Sequence, residues 1–230
     1  FTDSSGRKID FSWMETNFSS TVRLPLNLTT NKYSRFLQPS VTFKYTQLDM
    51  DEGSELKFRR NNYKTIRYRV YASNLLKSTV HDMYPRWGQI LDLNLRTAPF
   101  ARDSLGSLFA AETRLFFPGF FRHHSWHFYG GYQKRFDNNV YFSSLVNYPR
   151  GFSGVFSDVL KSLAINYKFP LLYPDLSLSS IAYIKRIKAN LFFDYAGSEY
   201  EGFISDYKST GIELFADLHL FRFLMPVERS

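Results

Sequence analysis

Apolar and polar positions alternate with a period of two along most of the chain. Between residues 162 and 169, Leu163, Ile165, Tyr167 and Phe169 are apolar, whereas Ser162, Asn166 and Lys168 are polar and Ala164 is small. The same alternation sets Ile187, Ala189, Leu191, Phe193 and Tyr195 against Arg186, Lys188, Asn190 and Asp194. It sets Ile212, Leu214, Ala216, Leu218 and Leu220 against Glu213, Asp217 and His219. Upstream, Leu91, Leu93 and Leu95 alternate with Asp92, Asn94 and Arg96, and Ile66, Tyr68, Val70 and Ala72 with Arg67, Arg69 and Tyr71. Phe109, Ala111, Thr113, Leu115 and Phe117 oppose Ala110, Glu112 and Arg114. Successive side chains of a strand point to opposite faces, so each segment predicts a strand with one greasy and one charged or small face. Strands are expected near 21–28, 40–48, 64–72, 87–96, 106–117, 123–133, 138–147, 160–170, 178–195 and 210–223, with a further one near 10–18. Turn chemistry separates them at Asp137-Asn138-Asn139, Phe117-Pro118-Gly119 and Tyr173-Pro174-Asp175. No helical period and no internal composition change interrupts this pattern. The expectation is a single all-β, antiparallel domain over residues 1–230.

Where the clear strands run about 9–11 residues they suit a tilted membrane crossing, whereas soluble strands more often run about 5–6. The hydrophobic fraction is 44%, yet mean hydropathy is −0.30, so no window forms the run of about 18 apolar residues that a membrane helix needs. Two architectures suit such strands: a soluble sandwich or lipocalin-like barrel with its apolar face inside, and a transmembrane barrel with that face toward lipid. Bulky charges of both signs on the polar faces, and more apolar face than one small core needs, favour the transmembrane β-barrel. Aromatics near strand ends, at Tyr84, Trp87, Phe116, Phe117, Phe120, Phe121 and Trp126, are expected to form interfacial girdles. The ending Phe223-Leu224-Met225-Pro226 supplies no closing strand, because Pro226 cannot donate to a ladder, so the chain is expected to be a fragment of a longer one.

The formal net charge is +8. Arg23, Lys44, Arg67, Arg69, Arg96, Arg114, Lys168, Arg186 and Lys188 fall on the polar faces and outnumber Asp92, Glu112, Asp194, Glu213 and Asp217. Salt-linked packing of a lumen accounts for both sets; a basic wall favouring anions or an acidic unfolded client is the alternative. These basics alternate strand by strand and make no contiguous stripe with stacking aromatics, which argues against nucleic acid. With no Cys, disulfides, thiolate metal sites and cysteine nucleophiles are excluded. In a strand, His123 and His127 would share a face while His124 points away, which is poor geometry for zinc. The acidic stretch Asp49, Asp51, Glu52 and Glu55 reads as a solvated loop. No glycine-rich phosphate loop and no catalytic triad stands out. The expectation is a protein without enzymatic activity, cofactor or metal.

Two stretches carry more specific information. Tyr148-Pro149-Arg150-Gly151-Phe152 lies between two expected strands, and Phe192-Phe193-Asp194-Tyr195-Ala196-Gly197 lies on a later one. Asp194 shares its face with Arg186, Lys188 and Asn190, so its carboxylate points inward. A bidentate Arg150–Asp194 pair in a partly dry lumen would pin the intervening loop with about 1.5–3 kcal/mol; the alternative is an ordinary polar hairpin at Arg150-Gly151, with Asp194 paired to Lys188 or Arg186. Gly151 would let the backbone turn at the tip, and Phe152 would pack on the inward Phe192. In order and separation the two stretches resemble the Arg-Gly-Phe loop and the Phe-x-Asp-x-Gly strand of the BamA/TamA superfamily of outer-membrane assembly and secretion barrels. The resemblance covers about residues 140–223 and the earlier strands only in character. Asn166 stands where the family often carries Glu, and Ala196 takes the usual Gly place, with Gly197 one step later. Met83-Tyr84-Pro85-Arg86-Trp87-Gly88-Gln89 and Phe117-Pro118-Gly119-Phe120-Phe121-Arg122-His123-His124-Ser125 look like a Bacteroidetes-type subgroup, related to surface antigens and sometimes fused behind β-propeller repeats.

The resemblance implies roughly 10–11 strands of a barrel of about 16, set in the bacterial outer membrane among its lipid and lipopolysaccharide. It further implies a part in insertion or translocation of client outer-membrane proteins, with accessory lipoproteins as partners. The implied mechanism is templating of incoming strands at a weakly closed seam that lies outside this sequence. The alternative is a passive pore or uptake channel with a basic lumen.

Overall fold

The computed structural model describes residues 13–50, 62–77, 84–100, 106–136, 142–153, 157–174, 176–178 and 182–220. Among the described residues eleven strands form one antiparallel sheet: β1 (Trp13–Arg23), β2 (Leu26–Asn27), β3 (Tyr33–Met50), β4 (Asn62–Leu76), β5 (Gly88–Thr97), β6 (Ser107–Pro118), β7 (Ser125–Phe136), β8 (Val159–Leu172), β9 (Leu176–Leu178), β10 (Ala182–Tyr200) and β11 (Phe203–Leu220). The main path is β1-β3-β4-β5-β6-β7-β8-β10-β11. β2 continues the line of β1 against β3, and β9 continues β8 against β10. With β2 counted as the continuation of β1 and β9 as that of β8, every pairing joins successive strands, as a meander of hairpins requires. Among the described residues, β1 pairs only with β3 and β11 only with β10.

The expected strands are present, with changes. The regions 10–18 and 21–28 join into β1 with its short companion β2, because Arg23 is still paired with Ser40 and the line breaks only at Leu24-Pro25. β3, β10 and β11 run to 18, 19 and 18 residues, longer than expected. The expected strand over 138–147 is corrected: the described part, 142–147, is not a strand but a loop. β10 and β11 are joined by Glu201-Gly202, both at positive φ (48° and 83°), the two-residue turn whose twist matches antiparallel strands.

The period of two decides the faces. On one face Leu163, Leu191 and Phe193 are each 42% exposed and Leu214 is 69% exposed. On the other face Asp92, Asn94, Glu112, Gln133, Arg135, Asn166, Asn190 and Asp194 are buried. The sheet is therefore apolar on its open side and polar on its enclosed side. A packed interior of Leu163, Ile165, Leu191 and Leu214 is absent; the small buried apolar cluster is Ala110, Val146, Leu160 and Ala196, on the polar side beneath the loop.

The aromatics expected as a girdle divide between the faces. Trp87, Phe117, Phe120, Trp126, Phe128, Tyr167 and Phe169 form a contiguous network of edge-on, tilted and stacked contacts on the open side, with Phe117–Phe128 at 5.7 Å and Trp126–Tyr167 at 4.5 Å. Tyr84 and Phe116 are corrected: they lie on the polar side, stacked about His127 with centroids at 5.3 and 4.9 Å. Phe116 follows the phase of Glu112 and Arg114, so alternation places it opposite Phe117.

Candidate functional site

The loop 142–153 leaves the β7 end of the sheet and folds back across the polar face. Three side chains of β7, all on that face, receive it. Arg135 donates to the carbonyl of Phe142 from Nε (3.3 Å) and Nη2 (3.1 Å), to Ser144 Oγ at 2.9 Å, and to the Ser157 carbonyl. Gln133 Oε1 accepts from the backbone N–H of Leu145 at 2.7 Å. Tyr129 accepts from the N–H of Asn147 at 3.0 Å and donates to Glu112 at 2.9 Å. These bonds give the loop backbone the partners that a ladder would otherwise supply. Gly131 makes the close approach possible, since a Cβ there would stand 2.5 Å from Val146 Cγ1. The hydrophobic contacts of Val146 with Ala110, Leu160 and Ala196 seal the loop onto β6, β8 and β10.

At the loop tip the expected Arg150–Asp194 pair is present. Asp194 is 4% exposed; its Oδ2 accepts from the backbone N–H of Arg150 at 3.1 Å, and its Oδ1 from Nη1 at 3.3 Å. Arg150 Nη2 donates to Asn166 Oδ1 at 2.7 Å, and Nε lies 2.9 Å from Glu213 Oε1. The guanidinium sits over the Phe192 ring, 4.0 Å from its centroid. Asn190 ties the acceptors together, donating to Asn166 Oδ1 at 3.0 Å and to Glu213 Oε2 at 2.7 Å. The positions follow from register: Asn190 pairs with both Lys168 and Glu213, and Phe192 with Asn166. One loop arginine thus meets three strands, β8, β10 and β11. Its planar fork satisfies a carboxylate, an amide and a second carboxylate at once, which an ammonium would not do.

Two expectations change here. Phe152 does not pack on Phe192; Arg150 occupies that ring, and Phe152 instead meets Tyr207 of β11 edge-on at 5.2 Å. Asn166 is no deficit of acidity, because Glu213, not singled out as a partner from the sequence, supplies the second carboxylate. Glu213 carries a legible signal, being in the polar phase of its strand, but its register with Asn190 is a tertiary fact. Gly151, at φ 85°, makes the turn as expected.

The other basic side chains expected on the polar face are there and mostly paired across strands. Arg69 grips Asp92 with Nε at 2.8 Å and Nη2 at 2.5 Å, and Arg67 donates to Asn94 at 2.8 Å through Nε. Arg114 lies 3.4 Å from Glu112, and Arg96 faces the Phe142 ring at 5.5 Å. Lys168 donates to Tyr84 at 2.6 Å. Arg186 binds Asp217 at 2.7 Å, and Lys188 pairs with the same carboxylate, so neither competes for Asp194. Of the histidines, His123 lies in a turn at φ 66° and not on the β7 face with His127. His124 stacks on Phe169 in that same turn region, where burial and then His123 push its imidazole below the ordinary range. The acidic residues Asp51, Glu52 and Glu55 lie outside the described residues, as does the side chain of Asp49.

A cleft of about 430 Å³ remains between loop and wall, lined by Arg114, His127, Tyr129, Ser162, Asn166 and Asp194 together with the loop residues 147–152. Among the described residues no group of three or more His, Cys, Asp or Glu converges as metal ligands do. The chemistry of the site is positional: buried acceptors hold one loop cation. No known family model matches the chain, and no curated protein matches it in sequence.

Proposed function

We propose that the chain is wall and inward loop of an outer-membrane β-barrel of the BamA-like superfamily, acting without covalent chemistry in insertion or translocation of proteins. The observation that carries this reading is the loop arginine clamped by Asp194, Asn166 and Glu213 on the polar face of a sheet whose opposite face is apolar and open. A hydrocarbon environment satisfies no backbone group, so strands cross it only as a closed hydrogen-bonded ring with their apolar face outward. Along β10, Leu191 and Phe193 are exposed on the open side while Asn190 and Asp194 beside them are buried, the apolar-out, polar-in order of a lipid-facing strand. In this reading the sheet continues into further strands of a barrel of about 16. The loop then fills the lumen and fixes the relative positions of the strands that a client must displace or imitate.

The test is reconstitution of the full-length protein in phospholipid vesicles, followed by the folding rate of a urea-unfolded outer-membrane barrel added from outside. Acceleration that is lost in Arg150→Ala and retained in Arg23→Ala is the expected result. Ion conductance without any acceleration would replace this reading with the passive pore.

A further inference from the structure

The turns at one end of the sheet gather a second charged site, which shares no lining residue with the cleft at the loop clamp. The β2–β3, β4–β5 and β6–β7 connections meet there in a cleft of about 570 Å³ lined by Asn31, Lys32, Leu76, Lys77, Arg86, Arg122 and His123. Backbone bonds fix two of these turns to one another and to β4: Lys77 N–H donates to the Lys32 carbonyl at 2.9 Å and Leu76 N–H to the Trp87 carbonyl at 2.8 Å. The third turn is closed on itself by Gly119 N–H to the His124 carbonyl at 2.9 Å. Gly119 is needed there, because a Cβ would stand 2.4 Å from His124 Cβ. Among the described residues no Asp or Glu lines the cleft, and no acidic side chain lies within ion-pair range of Lys32, Lys77 or Arg122. These three cations on one cleft wall repel one another and favour an anion there.

The neighbours of these cations define the anion. Arg86 is followed by Trp87, and Arg122 is preceded by Phe120 and Phe121, which are 78% and 72% exposed. The same turn therefore sends Arg122 and His123 into the basic cleft and Phe120 toward Trp126 and Tyr167 in the open-side aromatic network, with Phe121 exposed beside them. A basic cleft bordered by an exposed aromatic belt matches a phosphate headgroup whose acyl chains run down an apolar wall. We propose that this cleft binds the headgroup of an anionic phospholipid, with its chains laid over the Trp87–Phe117–Phe120–Trp126 surface. The inference rests on the reading that the open face meets lipid, and it adds a specific headgroup site to it.

The test uses the full chain with Trp13 replaced by Phe, so that Trp87 and Trp126 report, in phosphatidylcholine vesicles containing a minor fraction of phosphatidylglycerol. Bromine is placed on the acyl chains of one lipid or the other, and tryptophan quenching is measured. An enrichment of brominated phosphatidylglycerol quenching of about fivefold or more over its mole fraction, one that falls with salt and is abolished in Lys32→Gln/Lys77→Gln/Arg122→Gln, is the expected result. Quenching by both lipids in proportion to their fractions would overturn the headgroup site and leave the lipid-facing wall standing. No quenching by either lipid would overturn the wall itself. Loss of the enrichment on adding inorganic phosphate at a concentration too low to act by screening would make this a site for free phosphate and overturn the lipid assignment. All three substituted residues are exposed and lie in turns, and an unchanged far-ultraviolet spectrum checks that the variant folds.

Discussion

The β1–β3 hairpin and the β7–β8–β10 region have the same alternation and opposite fates. In the hairpin, Glu15 pairs with Lys44 at 3.6 Å with both side chains about 40% exposed (39% and 40%), and Asn17 and Thr21 remain exposed. In the β7–β8–β10 region Gln133 and Asn190 are fully buried and Arg135 and Asp194 nearly so. Nothing in strand geometry separates the two. The difference is the loop 142–153, which covers one stretch of polar face and leaves the other open. Polar groups under that cover are held in low dielectric and are mostly partnered, Asn190 Oδ1 and His127 Nε2 excepted, whereas exposed ones such as Glu15 and Asn17 in the hairpin exchange with water at little cost, Thr46 there being buried against Asn17.

This contrast is sharpest under substitution. Asp194→Ala removes the acceptor of both the Arg150 backbone N–H and its guanidinium, and should destabilise the loop by about 3 kcal/mol. Hydrogen exchange at Arg150 and Asn147 would then speed up by about two orders of magnitude, while amides of β1 and β3 keep their rates. Gln133→Ala strands the N–H of Leu145 and should cost about 2 kcal/mol, read as faster exchange at Leu145. Gly131→Ala drives a methyl into Val146 and should cost about 1–2 kcal/mol, read in the same way at Val146. Glu15→Ala in the hairpin should cost less than about 0.5 kcal/mol and change no exchange rate beyond its own pair of strands. Equal effects of Asp194→Ala and Glu15→Ala would dissolve the distinction.

The sequence made the strands and their faces legible, because a period of two survives in nearly every segment. The inward phase of Asp194 is legible too, but its pairing with Arg150, and not with Lys188 or Arg186, follows from the resemblance of the two stretches and not from their spacing. What it hid was nonlocal. Val140-Tyr141-Phe142-Ser143-Ser144-Leu145-Val146 has the composition of a strand, and only the facing Gln133 and Gly131 explain why its described part is a loop laid on the sheet. Glu213 was visible as an inward charge, but its role depends on β11 registering with Asn190. Tyr84 and Phe116 have a different lesson: clustering of aromatics near strand ends says nothing of side, and Phe116 shares the phase of Glu112. Where periodicity and composition disagree within a strand, periodicity decided the side.

The central claim is that the open apolar face touches lipid. The chain contains no cysteine, so single cysteines at consecutive β8 and β10 positions, Ser162, Leu163, Ala164 and Ile165 and then Asn190, Leu191, Phe192 and Phe193, can each carry a spin label in reconstituted protein. Labels at 163, 165, 191 and 193 should relax with lipid-soluble oxygen, and those at 162, 164, 190 and 192 should not. High accessibility of 163, 165, 191 and 193 to a water-soluble nickel chelate, with no alternation in the oxygen signal, would contradict the account.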